Sequence, residues 1–149
     1  MLEIYERLGM HCHQTADEVV VLNHEQRTKG RLRMFSQSGK EVGLFLERGQ
    51  TLQVGEYLKT TCGKLIQVEG ATETVVHASC DDWTTFSRAC YHLGNRHVKI
   101  QLGERWLRFC PDHVLEEMVH HLGLVVTHEE AVFDPESGAY KQVAHVPHD

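Results

Sequence analysis

The chain has no stretch approaching the roughly 20 consecutive apolar residues that a helix needs to cross a bilayer, so no membrane role is expected. Residues Met1–Arg7 lack a basic segment followed by an apolar core, so they do not read as a secretory signal. Positive charge is not in excess. The formal net charge is -6 with histidines neutral, which argues against nucleic acid as a partner. The five cysteines are odd in number and form no C-x-x-C pair, so a disulfide framework is not expected and a reducing cytoplasm is the simplest home. There is no H-E-x-x-H pattern and no evident nucleophile–base set. A zinc hydrolase needs three fixed ligands, an open position and a base, so an enzyme is not expected.

The 149 residues do contain 12 histidines. Imidazole suits nickel, copper and zinc, and it releases metal when protonated. Most histidines in a chain are nevertheless ordinary surface residues, so position has to decide among them.

The first half shows no sustained helical periodicity. Short alternating or β-branched runs occur at Leu2–Leu8, Glu18–Leu22, Arg31–Phe35, Glu41–Leu46, Glu56–Thr60 and Lys64–Val68, with turn residues between them. This predicts an all-β domain over residues 1–71, with the boundary near Glu69-Gly70-Ala71. Arg27, Lys29, Arg31 and Arg33 occupy every second position. If extended, they share one face, either as a solvated edge or as a docking strip for an acidic surface. His11-Cys12-His13 reads as a polar loop or as a small chelating group.

The second half changes pattern. Thr74–Ala78 reads as a strand. Asp82 then caps a helix whose apolar stripe is Trp83, Phe86, Ala89, Cys90 and Leu93. Strands follow at His97–Leu102 and Arg105–Phe109. Asp112 caps a second helix, with Leu115, Met118, Val119 and Leu122 inward and Gly123 suited to its end, before a last strand from Leu124. The order is βαββαβ, the ferredoxin-like arrangement, over residues 72–133. Residues 134–149 lack periodicity and are expected to form a short flexible tail. The predicted class is α+β.

The helix-to-strand junction is Tyr91-His92-Leu93-Gly94-Asn95-Arg96-His97-Val98. Gly94 and Asn95 are the natural left-handed residues for closing the helix, and His97 then opens the strand. His92 lies on the helix end, where a structural role is expected. The octapeptide closely resembles the signature of the UreE family of urease accessory proteins, the nickel metallochaperones. Further similar pieces are Gln26-Arg27 leading into Arg31-Leu32-Arg33, Gly39–Leu46, Arg88-Ala89-Cys90, Trp106-Leu107-Arg108, Asp112–Met118 and Phe133–Tyr140.

The resemblance implies a homodimer that carries nickel, with zinc or copper as competitors, to the urease apoprotein complex through partners that include an accessory GTPase. It implies that His97 binds metal from both subunits near a two-fold axis, because such an axis duplicates any residue beside it. It also implies an amino-terminal domain similar to the peptide-binding module of some chaperones. His145 and His148 in the tail are candidates to complete the metal shell. His113 is a candidate for a peripheral site, since His113, Glu116, Glu117 and His120 share one helix face. Some relatives carry a further histidine where this chain has Pro111, and many carry a long histidine-rich tail that is absent here. The alternative is a protein-binding adaptor of urease maturation whose metal binding is incidental.

Overall fold

The computed structural model describes residues 1–137. The chain divides into two compact units, Met1–Glu73 and a second from Thr74 onward.

The first unit is a six-stranded sheet. Its strands are β1 (Leu2–Gly9), β2 (Glu18–Leu22), β3 (Arg31–Phe35), β4 (Glu41–Phe45), β5 (Tyr57–Thr60) and β6 (Leu65–Gly70), in the order β2-β6-β5-β1-β4-β3. The pairs β1–β4 and β2–β6 are parallel and the others antiparallel. Alternation sends Ile4, Val20, Leu22, Met34, Val42, Leu44 and Leu58 into one core, each buried. The bidentate pair of Arg7 with the buried Glu56, at 2.6 and 2.7 Å, ties β1 to the loop before β5.

One short helix, α1 (His24–Arg27), interrupts the strands. Asn23 and Gln26 close its start reciprocally, a local capping signal that the search for longer periodicity passes over. This helix corrects the expectation of a four-residue basic strip. Arg27 is 1% exposed and donates to the Leu22 carbonyl at 2.9 Å. Only Arg31 and Arg33 stand on the exposed face of a strand.

The second unit is mixed α and β. It comprises β7 (Thr72–Ser79), α2 (Trp83–Asn95), β8 (Gln101–Leu102), β9 (Trp106–Phe109), α3 (His113–Leu122) and β10 (Val125–Val132). The sheet order β10-β7-β9-β8 is the ferredoxin-like one. Val76, Ala78, Leu107 and Phe109 face the two helices, which contribute Phe86, Ala89, Leu93, Leu115 and Val119. Trp83 departs from its expected place in the stripe. It is 52% exposed, meets Phe86 edge-on at 5.9 Å and carries the Arg105 guanidinium 5.5 Å from its ring.

Both helices start on an aspartate. Asp112 accepts from the Val114 and Leu115 amides, and Asp82 from the Thr85 amide and hydroxyl. The Thr85 side-chain bond, then its amide bond, holds the Asp82 carboxyl below the usual carboxylate value. A lowered folded-state value means that the stabilisation is full above the unfolded value, about pH 4, and is lost as pH falls through the folded one. Asp82→Ala is therefore expected to melt below wild type at neutral pH, with the difference shrinking in strong acid. Thermal melts across that range check this.

Candidate metal centre

Helix α2 ends in a specific backbone closure. The Val98 amide donates to the Leu93 carbonyl at 3.2 Å, and the His97 amide donates to the Gly94 carbonyl at 3.0 Å. These are the two bonds of the Schellman motif, with Arg96 as C-cap and His97 as the residue beyond it. Leu93 is fully buried, and Val98 packs against the same core, which supplies the motif's apolar contact. Position 97 must then be left-handed, and His97 has φ 58°.

Helix α3 provides the internal comparison. Its closing bonds run from Gly123 to His120 and from Leu124 to Val119, the same pattern, and the left-handed residue is Gly123 with φ 108°. Two identical closures therefore carry different residues. Glycine enters this conformation freely, whereas a side chain there costs about 1 kcal/mol. The strain at His97 is tolerated because Leu93 and Val98 hold the backbone on either side.

This corrects two expectations. Neither Gly94 nor Asn95 takes the left-handed role, since both are still inside α2. His97 does not open a strand, because β8 starts only at Gln101. The alternation from His97 to Leu102 is real in sequence, but the chain needs residues 97–100 to leave the helix. His97 is exposed, as are Tyr91, His92, Gly94, Asn95 and Arg96 around it. His92 does not bond the helix end, which backbone groups close. Its ring meets Tyr91 edge-on at 5.3 Å.

The other candidates lie apart in role. His113 is the exposed first residue of α3. Its helix neighbour Glu116 is already engaged, accepting from the Asp112 amide at 3.1 Å and pairing with His128 of β10 at 2.7 Å. The His128 contact crosses elements and leaves no mark in local spacing. Glu117 and His120 are exposed. His11, Cys12 and His13 sit in the loop between β1 and β2. Among the described residues, no three His, Cys, Asp or Glu side chains gather into a group able to hold a metal ion. His145 and His148 lie outside the described residues.

After β10 the chain returns to the junction. The Asp134 amide donates to Gln101 Oε1 at 3.1 Å and the Glu136 amide to the Ile100 carbonyl at 2.8 Å. Ile100 is close in sequence to His97, so the described chain ends beside the loop that carries that histidine.

A β domain joined to a ferredoxin-like domain, with histidines displayed on the surface, defines a two-domain α+β protein. Comparison with known sequences specifies it further. The amino-terminal domain of the UreE urease accessory protein matches residues 4–71, and its carboxy-terminal domain matches residues 73–149. The chain is 66% identical over 140 residues to the urease accessory protein UreE of Marinomonas sp. (strain MWYL1), covering 94% of this chain and 95% of that protein. It is 52% identical over 145 residues to that of Alteromonas mediterranea, covering 97% and 94%, and 48% identical over 145 residues to that of Psychromonas ingrahamii, covering 97% and 95%. The chain belongs to the UreE urease accessory protein family.

The strained closure predicts an unusual trade. His97→Gly is expected to raise the stability of the folded chain by about 1 kcal/mol, and His97→Ala, still a side chain in the same conformation, is not. Thermal melts of the three proteins without metal check this.

Proposed function

We propose that this chain is a homodimeric nickel carrier of the cytoplasm that serves urease maturation. Residues 72–133 bear the metal and residues 1–71 engage partner proteins, among them the urease apoprotein complex and the accessory GTPase. The observation that carries this reading is His97 in a left-handed position, where the equivalent closure of α3 uses glycine. Strain of that kind is kept where the side chain is needed.

A single imidazole is a weak ligand, and one copy of the described residues gathers no set of three. A two-fold axis beside His97 doubles it. Tyr91 is 69% exposed, and a Cβ added at Gly94 would meet nothing within 4 Å, so this surface has room for a second copy to approach closely. The remaining ligands come from the tail. With Glu136 tied to Ile100, the segment to His145 reaches roughly 30 Å when extended, well beyond the short distance back to His97. His145 and His148 close the shell, and His113 serves a secondary, peripheral site. Ligands on a tail favour capture and release over permanent storage.

Nickel here is cargo, so no bond-making step is assigned to the protein. Copper binds imidazole sites more tightly than nickel, and zinc competes as well, so selectivity rests on metal availability and on the partner.

Calorimetric titration with nickel, run with light scattering, tests the reading. Wild type is expected to bind one tight nickel per dimer. His97→Ala loses that binding while remaining dimeric, and truncation after Ser137 weakens it. Absence of tight nickel binding in wild type overturns the carrier reading and leaves a protein-binding adaptor of urease maturation. Tight binding that survives His97→Ala moves the site elsewhere.

A further inference from the structure

The run Met10-His11-Cys12-His13 takes no part in the roles assigned above. It lies in the loop between β1 and β2, in the first unit, whereas His97 belongs to the second. Of the five cysteines, Cys12 alone has a histidine on each side. Three of the others are differently engaged. Cys80 and Cys90 pack against the second unit's core, and the Cys62 thiol contacts the Thr60 hydroxyl at 3.2 Å.

The loop is pinned at its ends and unbonded between them. Gly9 pairs with Tyr57 at the end of β1. The Asp17 amide donates to the Leu65 carbonyl, and the Leu65 amide to the Asp17 carboxylate, each at 2.8 Å. Among the described residues, no hydrogen bond, ion pair or ring contact engages residues 10–16. His11 and His13 are exposed and Cys12 is half-buried. Met10 is 43% exposed, and its methyl group would lie 3.2 Å from a Cβ built at Gly55, in the turn before β5. Backbone positions two residues apart are separated by at most about 7 Å, so the sulfurs of Met10 and Cys12 can reach one ion without moving the strands.

We propose that residues 10–13 bind a cuprous ion through the Cys12 thiolate and the Met10 thioether, with a flanking imidazole, His11 or His13, as the third ligand. The donor set selects the ion. Thiolate and thioether together favour Cu(I), whereas magnesium, calcium and manganese take oxygen. Zinc in a structural site needs four ligands, and among the described residues no three His, Cys, Asp or Glu side chains gather. Cu(I) is satisfied by two or three ligands, which an unbonded loop brings together on binding. The thiol proton passes to water as the ion binds, so uptake weakens as pH falls. This site does not depend on the nickel site, since the two lie in different units.

The test titrates the full chain, without oxygen and with ascorbate present, against Cu(I) held by bicinchoninate, whose colour fades as the ion leaves it. Wild type is expected to withdraw one ion per chain, with the ultraviolet absorption of a thiolate–Cu(I) bond. C62S/C110S withdraws the same amount. C12S, shown to be folded by its thermal melt, withdraws none. M10L and H11A/H13A each weaken uptake about tenfold or more, since removing even a residue behind a metal ligand costs about 10–100-fold in affinity. No uptake by wild type, equal uptake by C12S, or wild-type affinity in both M10L and H11A/H13A overturns the proposal. So does zinc held as tightly as Cu(I). Nickel titration of C12S separates this site from the carrier. Nickel uptake intact with Cu(I) uptake lost supports two sites, whereas loss of both places Cys12 in the nickel site and overturns a separate copper site. Wild type that takes Cu(I) but no nickel overturns only the carrier.

Discussion

The closure of α2 between Leu93 and Val98 is the constraint on which the candidate site depends. Leu93 must stay buried under the sheet, and Val98 must return to the same core. A helix obliged to stop there, with both residues inward, has one economical ending, and that ending leaves residue 97 left-handed and outside. The core thus dictates where the imidazole is displayed. A side chain in that place carries a conformational cost that the glycine of the sister helix avoids.

The same domain gathers its other functional geometry around this point. The chain crosses back from β10 to the residues that follow His97 and is fastened there by the Glu136 and Asp134 amides. The proposed carrier role draws on this combination of an exposed histidine and a chain segment fastened three residues further on, at Ile100. The paired Glu116 and His128 show the opposite use of the same residue types, a link between α3 and β10.

Much of this was legible beforehand. Strand alternation, the aspartate caps at 82 and 112, and Gly123 marked the βαββαβ order, because each is a local signal with a local cause. The misreadings share one physical origin. Arg27 sits in an alternating basic row, yet the four-residue helix capped by Asn23 turns it inward to the Leu22 carbonyl. Trp83 sits on the apolar stripe, yet at the helix start it lies beyond the sheet's cover and packs with Arg105. His97 begins an alternating run, yet the run is needed to exit the helix. In each case a periodic pattern was correct and its boundary was set by packing.

The sequence by itself determined the class of fold, the βαββαβ order of the second unit and the family, since caps, periodicity and a specific octapeptide all act over a few residues. Only the tertiary structure decided how His97 is held. It also decided which one of the four basic residues turns inward, and that the chain's return ties its last described residues to Ile100 and Gln101. These are relations between residues far apart in the chain. They arise when burial of Leu93, Val98 and the two sheet cores forces distant segments together, and local pattern carries no record of that.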